Sequence, residues 1–211
     1  MEDKYFEYHE FGWKNDSAEI FHAKMLKVLA TLLPTDGSAI LDIGCGNGFI
    51  ANTLIKNGYN VYGIDASSEG IEIANLKNPG RFYVNDVVAA TLPEEIRNIP
   101  FKTIISTEVI EHLYSPQKYV AFVKGILQQN GGGVFLVSTP YHGYLKNLAV
   151  ALTNRMDYHF CPLWEGGHIK FWSRKTLTAL LENEGFHNCT FRGVCHFPLF
   201  WKIMLIRAEI G

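Results

Sequence analysis

The chain has 211 residues, of which 47% are hydrophobic, and its 19 basic and 21 acidic residues give a formal net charge of −2. This length is typical of one domain with a full hydrophobic core, and the near-neutral charge argues against a broad nucleic-acid surface. No signal peptide is visible, and no apolar run approaches the ~20 residues of a membrane-spanning helix. The four cysteines contain no Cys-x-x-Cys pair, so we expect a reduced, cytoplasmic protein.

The first 34 residues predict a flap followed by a helix. Aromatic side chains are concentrated near the start without a regular period: Tyr5, Phe6, Tyr8, Phe11 and Trp13. Such a segment either docks as a flap on another surface or simply packs on the outside of the domain. Asp16 and Glu19 have the spacing of a helix capping box, and apolar residues at helical spacing follow as far as Pro34.

The stretch 38–48 predicts a turn that binds a nucleotide. Residues 38–43 form a short apolar run that contains one acid, Asp42, and is typical of a buried parallel strand. Gly44, Gly46 and Gly48 follow at alternate positions, and a helical pattern then runs from Phe49 to Gly58. A strand, a glycine turn and a helix in this order bind a nucleotide outside the carboxyl ends of the strands.

Two further strands each lead to an acid. The second predicted strand, 60–65, ends at Asp65, about twenty residues beyond the glycine turn, where a carboxylate can accept protons from both hydroxyls of a ribose. Helix capping is the alternative role for Asp65. Ser67 or Ser68 is expected to cap the next helix. The third strand, 81–85, leads to Asp86, which is either a ligand-binding or a turn-forming acid.

The rest of the chain continues to alternate strands with helices. Pro93 predicts the first turn of a short helix, residues 101–107 and 134–138 predict strands, and Ser115 begins the helix between those strands. Residues 139–168 are rich in aromatic side chains and too long for an ordinary loop, so they predict a cover over a site, with one short helix at 148–152. A helix capped by Ser173 and a terminal hairpin of strands 190–196 and 201–209 complete the pattern.

The block Leu-Asp-Ile-Gly-Cys-Gly-Asn-Gly at 41–48 resembles motif I of the class I S-adenosylmethionine (SAM) dependent methyltransferases. It differs from the dinucleotide fingerprint because Phe49 stands where that fingerprint has its third glycine, which argues against a nicotinamide oxidoreductase. The resemblance covers most of residues 38–210. It implies one α/β domain over 1–211, with a Rossmann-like, seven-stranded, mostly parallel sheet, helices on both faces and an antiparallel strand in a C-terminal hairpin.

The same resemblance implies SAM as the cofactor and assigns residues to its parts. Asp42, Gly44 and Gly46 would hold the methionine end, Asp65 the ribose, and Asp86 with Val87 the adenine. The remaining members of the predicted cofactor site are Cys45, Ala66 and Thr107.

Methyl transfer to oxygen needs a group that removes a proton, and residues after the fourth strand offer one. Glu108, Glu111 and His112 have the spacing that places side chains on one helical face, where they would suit a divalent ion such as Mg²⁺ or Zn²⁺.

The motif formed by Glu108, Glu111 and His112 is similar to that of two families. These are the ubiquinone-biosynthesis O-methyltransferases, which act on catechol-type polyprenyl rings, and the small-RNA 3′-terminal 2′-O-methyltransferases, which hold a metal with Glu-x-x-Glu-His and a later histidine. His168 resembles that later histidine. Without a metal, His112 or His142 is the candidate base.

These patterns predict a SAM-dependent methyltransferase that acts on a small hydroxylated acceptor of phenolic or quinol-like type. The aromatic-rich cover also favours a lipid-like acceptor that enters from a membrane surface. The one small basic group, Lys170, Arg174 and Lys175, argues against a nucleic-acid partner. The alternatives are an RNA 3′-end 2′-O-methyltransferase and a SAM-binding regulator without turnover.

Overall fold

The computed structural model describes residues 20–87, 91–195 and 197–211, so the predicted flap and His196 lie outside the described residues. The described strands form one seven-stranded sheet in the order β3-β2-β1-β4-β5-β7-β6. Their bounds are β1 Ala39–Ile43, β2 Asn60–Asp65, β3 Phe82–Val84, β4 Thr103–Thr107, β5 Gly133–Pro140, β6 His187–Val194 and β7 Ile203–Ile210. The first five strands pair in parallel, and β7 runs antiparallel to both of its neighbours. The predicted fold class is confirmed.

Helices cover both faces of the sheet because alternate strand residues are buried on opposite sides. The helix bounds are α1 Ile20–Ala30, α2 Phe49–Lys56, α3 Ser68–Asn75, α4 Pro116–Gln129, α5 Tyr144–Leu152, α6 Met156–Phe160 and α7 Arg174–Asn183. In β1, Ile40 packs with residues of α1, α2 and α3, whereas Leu41 and Ile43 pack with residues of α4 and α7. No helix in the described part of the chain is both long and apolar enough to cross a membrane.

The strand order places a crevice at one edge of the sheet. The chain moves outward from β1 to β2 on one side and returns to β4 on the other, so the carboxyl ends of β1 and β4 form the switch point where α/β folds bind ligands. The turn after β1 and the loop after β4 pack together there, since a β-carbon on Gly44 would collide with Val109.

Two local predictions differ from the structure. The residues after Pro93 make successive turns instead of a helix: the amides of Ile96 and Arg97 both donate to the Pro93 carbonyl, and the Ile99 amide donates to the Ile96 carbonyl. The helix expected at 148–152 begins earlier, at Tyr144, and α6 follows it in the predicted cover. Neither α5 nor α6 has a buried residue, so the apolar side chains of these helices face outward and not into the core.

Gly63 in β2 packs against the glycine turn. This contact predicts that two glycine-to-alanine substitutions change the free energy of unfolding in opposite directions. A β-carbon at Gly63 would lie 2.6 Å from Phe82 Cδ1 and 2.8 Å from Cys45 Sγ, so Gly63→Ala should lower the free energy of unfolding by about 1–3 kcal/mol. Gly125 lies inside α4 with open space around it, so Gly125→Ala should raise that free energy by about 0.5–1 kcal/mol. Urea unfolding of both variants measures the difference. Equal effects of the two substitutions would contradict the packing at Gly63.

Candidate active site

The glycine turn is held against the end of β2. The amides of Gly44 and Cys45 both donate to the Ile64 carbonyl, at 2.8 and 3.0 Å. Gly44 has a φ of +76°, a left-handed conformation that side chains disfavour, and its packing against Val109 leaves no room for a β-carbon. The turn therefore brings its backbone to the carboxyl edge of the sheet.

Asp65 links the glycine turn to the start of α3. Its two carboxylate oxygens accept hydrogen bonds from the amides of Gly46 and Ser67, each at 2.8 Å. The cap of α3 is Ser67, whose hydroxyl oxygen accepts a hydrogen bond from the Gly70 amide. Asp65 is thus not the N-cap residue, and its carboxylate lies at the turn, where its remaining lone pairs suit the hydroxyls of a ribose.

Asp42 is a buried carboxylate beside the turn. It is 1% exposed, and neither oxygen accepts a hydrogen bond from the part of the chain that the structure describes. Burial, and then the charge of Asp65, raise the pKa of Asp42 to about 8. Burial together with these two acids also raises the pKa of the Cys45 thiol, so Cys45 is a small neutral residue of the turn. A positively charged group bound at the turn would compensate Asp42.

The other residues predicted to bind the cofactor lie at the same edge of the sheet. Ala66 follows β2 and is exposed, and Thr107 is the half-buried last residue of β4. Asp86 is exposed and Val87 half-buried just after β3, where the neighbouring Asn85 amide donates to the Asp65 carbonyl at 2.8 Å. Their roles stay predictions.

The structure separates Glu108 from the two residues with which it was expected to converge. The chain makes a bend after β4, with Glu108 at a φ of +57°, and only Ile110–His112 form a short 3-10 turn. Ser138 on β5 donates its hydroxyl to Glu108 Oε1 at 2.8 Å. The expectation of one continuous helical face from Glu108 to His112 is therefore wrong.

Three of the predicted metal ligands do come together. Glu111, His112 and His168 each have a potential ligand atom within 4.8 Å of those of the other two. Glu111 is fully buried, and neither carboxylate oxygen has a hydrogen-bond partner within the described ranges. Burial, followed by the charge of Glu108, raises the pKa of Glu111 well above its usual value. His168 Nε2 lies 4.0 Å from Glu111 Oε1.

The two histidines of this cluster are oriented by their surroundings. His112 Nδ1 lies 2.7 Å from the Gly166 carbonyl, which can only accept, so Nδ1 carries the proton and Nε2 the lone pair. Burial, and then His112, lower the pKa of His168 to about 4. The Glu111 carbonyl accepts from the amides of Ile169 and Lys170, both at 2.9 Å, and these bonds fix the segment that carries His168.

His142 lies apart from this cluster, in an aromatic environment that the sequence did not indicate. Its ring is 7% exposed and stacks with Phe160 at an interplanar angle of 9°, and Phe171 and His159 contact it edge-on. His159 carried no signal in the sequence, because these contacts join residues of the cover that follow no regular period.

The raised pKa of Asp42 predicts a pH-dependent stability. A carboxyl that holds its proton in the folded state up to about pH 8, but only to about pH 4 when unfolded, makes the folded state less stable as pH rises between these values. Between pH 5 and pH 8 the wild type should lose free energy of unfolding, and this loss should exceed that of Asp42→Asn by on the order of 3 kcal/mol. Urea unfolding at both pH values measures this, with Asp157→Asn on the exposed side of α6 as the control. Equal losses in the wild type and in Asp42→Asn would contradict the prediction.

Comparisons with known proteins agree with this geometry. A family model described as a methyltransferase domain matches residues 17–190. A ubiquinone biosynthesis O-methyltransferase of Dinoroseobacter shibae is 31% identical over 169 residues, which are 79% of this chain and 66% of that protein. One of Cereibacter sphaeroides is 28% identical over 189 residues, 87% of this chain and 74% of that protein. The chain thus spans about two thirds to three quarters of the length of these relatives.

The fold is also that of a solved methyltransferase structure. A SAM-dependent methyltransferase from Archaeoglobus fulgidus superimposes with a TM-score of 0.64 at 15% identity and covers 90% of this chain and 94% of its own. The strand order, the glycine turn at the switch point and the family match lead to the same conclusion: the chain belongs to the methyltransferase domain family and is a class I SAM-dependent methyltransferase.

Proposed function

We propose that this methyltransferase moves a methyl group from SAM to an oxygen of a small hydroxylated acceptor of phenolic or quinol-like type. The observation that carries the proposal is the buried Glu111 beside His112 and His168, at the end of β4 and next to the cofactor turn. An oxygen acceptor must lose a proton during transfer, and this cluster is equipped to receive or stabilise that charge. The names of the relatives, which are O-methyltransferases of ubiquinone biosynthesis, support the same class of acceptor.

The proposed cofactor site uses the residues of the turn and the strand ends. When bound, SAM supplies a methyl group on a sulfonium, which is electrophilic enough that no protein nucleophile is required. The Asp42 carboxylate is suited to the ammonium of the methionine part, with Gly44, Cys45 and Gly46 providing backbone contacts. The other proposed contacts are Asp65 and Ala66 to the ribose, Asp86 and Val87 to the adenine, and Thr107 beside the reacting end.

The chain then orients the acceptor and handles its proton. Bound SAM would supply the methyl carbon to the acceptor oxygen and its sulfur would take the electrons of the carbon–sulfur bond, while the hydroxyl proton of the acceptor would pass to a base of the chain. Without a bound ion, His112 is the proposed base, because the Gly166 carbonyl holds its Nδ1 proton and the neutral ring then has its lone pair on Nε2. His142 is the weaker candidate, since burial and the charge of Lys146 lower its pKa to about 4.

A divalent ion fits the same cluster. One buried carboxylate with unpartnered oxygens and two imidazoles form a donor set that suits Zn²⁺ in particular, and His112 has the carbonyl partner that fixes a metal-binding tautomer. Glu111, His112 and His168 would hold the ion, whereas Glu108 is bonded to Ser138. The ion would supply a Lewis acid that lowers the pKa of an acceptor hydroxyl.

Exposed apolar residues beside this site support a lipid-like acceptor taken from a membrane surface. They lie on α5, on α6 and just beyond: Tyr144, Leu148, Leu152, Met156, Tyr158 and Leu163. Part of an acceptor too long for the site could lie along this surface. We propose a cytoplasmic enzyme that acts at the periphery of a membrane.

Transfer of a labelled methyl group from SAM to catechol, an acceptor with two adjacent hydroxyls, tests the proposal. Glu111→Gln keeps the shape of the side chain but can neither ionise nor bind a metal as a carboxylate, and it should lower the rate at least about 100-fold with little change in the affinity for S-adenosylhomocysteine. Glu182→Gln, on the exposed surface of α7, is the matched control. Zn²⁺ and Mg²⁺ are also titrated calorimetrically into metal-stripped protein. The wild type should bind one of these ions, and Glu111→Gln should not bind it.

Two results would contradict the proposal. Transfer only to the 3′ end of an RNA oligonucleotide, with a steep loss of binding at raised salt, would favour the RNA-end enzyme. Binding of SAM without transfer to catechol, quinols or RNA would favour a regulator without turnover.

A further inference from the structure

A cavity of about 400 Å³ lies beside the end of β5 and is lined by His142, Asn147, Phe160 and Phe171. Its volume is in the range of small-molecule sites. His142 follows β5 and Asn147 lies in the first turn of α5, whereas Phe160 ends α6 and Phe171 lies beyond Trp164. The cavity thus joins the start of the cover to its end.

Several buried polar atoms around this cavity have no full hydrogen-bond partner among the described residues. Both ring nitrogens of His142, the side-chain oxygen of Asn147 and Nε2 of His159 are buried and make no hydrogen bond of full geometry with any described residue. The Asn147 side chain lies close enough to the His142 ring to raise the pKa of His142 as a hydrogen-bond acceptor, so these two groups partly satisfy each other. Buried polar groups without full partners are rare in folded proteins, so the remaining atoms of His142 and Asn147 favour a ligand that completes their hydrogen bonds.

The walls of the cavity are flat and aromatic. The ring centroids of Phe160 and Phe171 are 4.9 Å apart in an edge-to-face contact at 83°, and Phe171 meets the His142 ring in the same manner at 5.2 Å. Aromatic walls of this kind favour a planar ring over a flexible chain. The ligand therefore combines a flat apolar body with hydrogen-bonding groups on one edge.

The cavity is next to the methyl-accepting side of the enzyme. The His142 amide donates to the Trp172 carbonyl at 3.1 Å, and Trp172 Nε1 in turn donates to the carbonyl of Ile110 in the 3-10 turn. The wall of the cavity is thus hydrogen-bonded, through Trp172, to the turn that carries Glu111 and His112.

We propose that this cavity binds the ring of the methyl acceptor, and that His142 and Asn147 select a planar aromatic ring that carries hydroxyl or carbonyl groups on the edge facing them. This assignment rests on the proposed function and adds the substrate class and its specificity residues. A neutral imidazole presents one N–H and one lone pair, so it can both donate to and accept from a hydroxyl. The lowered pKa of His142 keeps its ring neutral at pH 7.

Catechol is the probe for a binding experiment that needs no turnover. Protein with ¹⁵N-labelled histidine is saturated with S-adenosylhomocysteine, and catechol is titrated while the imidazole nitrogens are followed by NMR. The His142 and His159 signals should shift and saturate, whereas that of His187 on the exposed side of β6 should not. Cyclohexane-1,2-diol, which keeps the hydroxyls but lacks the aromatic ring, should bind at least 10-fold more weakly.

Substitutions at His142 and Asn147 distinguish the contribution of hydrogen bonds to catechol affinity from that of the cavity's shape. His142→Phe removes both nitrogens and should weaken catechol binding at least 10-fold without loss of thermal stability, because it replaces a buried polar ring that lacks full hydrogen-bond partners by an apolar one. Asn147→Leu should act in the same direction, and His142→Gln, which keeps a donor and an acceptor, should retain part of the affinity. His187→Phe is the matched control and should leave the affinity unchanged.

The outcomes distinguish this inference from the proposed function. No saturable shift at His142 or His159, or equal catechol affinity in wild type and His142→Phe, would overturn the pocket assignment. If the wild type methylates catechol and His142→Phe does so with an unchanged KM, the pocket fails while the proposed function stands. If catechol binds at His142 but no acceptor is methylated with SAM bound, the pocket stands and the proposed function fails.

Discussion

The contact between Gly44 and Val109 joins the two halves of this molecule's site. Gly44 belongs to the turn that follows β1, and Val109 belongs to the loop that follows β4, so the contact brings the glycine turn next to the residues proposed to face the acceptor. Methyl transfer requires the two reactants in line and shielded from water, which is mostly a problem of placement. A β-carbon at position 44 would separate the two loops, and the alignment of the reacting groups would be lost with it.

Three buried ionisable groups lie where ligands are proposed to bind. Among the described residues, Asp42 lies at the cofactor turn, Glu111 in the acceptor cluster and His142 at the aromatic cavity, and none of the three has a full hydrogen-bond partner. Each such group costs on the order of 1–3 kcal/mol in the folded chain. Replacing these groups by apolar residues would stabilise the fold. Their presence is therefore explained by ligand binding, because a bound ligand would supply the missing hydrogen bonds and restore the lost stability.

Local patterns in the sequence predicted most of the strands and helices and the glycine turn, because alternation, spacing and caps are local properties, whereas the arrangement of the strands in one seven-stranded sheet followed from the resemblance of residues 41–48 to a known family. The sequence could not place Glu108, because its partner Ser138 lies on the next strand and its own backbone leaves the helical conformation. The aromatic cavity was missed for a related reason. Phe160 and Phe171 meet across a segment with no regular period, and only the folded chain shows that they share a site with His142.

The hydrogen bonds at the two ends of the cover make it a replaceable unit. At one end the Tyr141 amide donates to the Lys202 carbonyl, and at the other the amides of Ile169 and Lys170 are held by Glu111. Between these anchors, α5 and α6 contribute no buried residue to the hydrophobic core. Evolution can therefore exchange this segment, and with it the acceptor selection proposed for it, while the glycine turn and the packing of the sheet stay as they are.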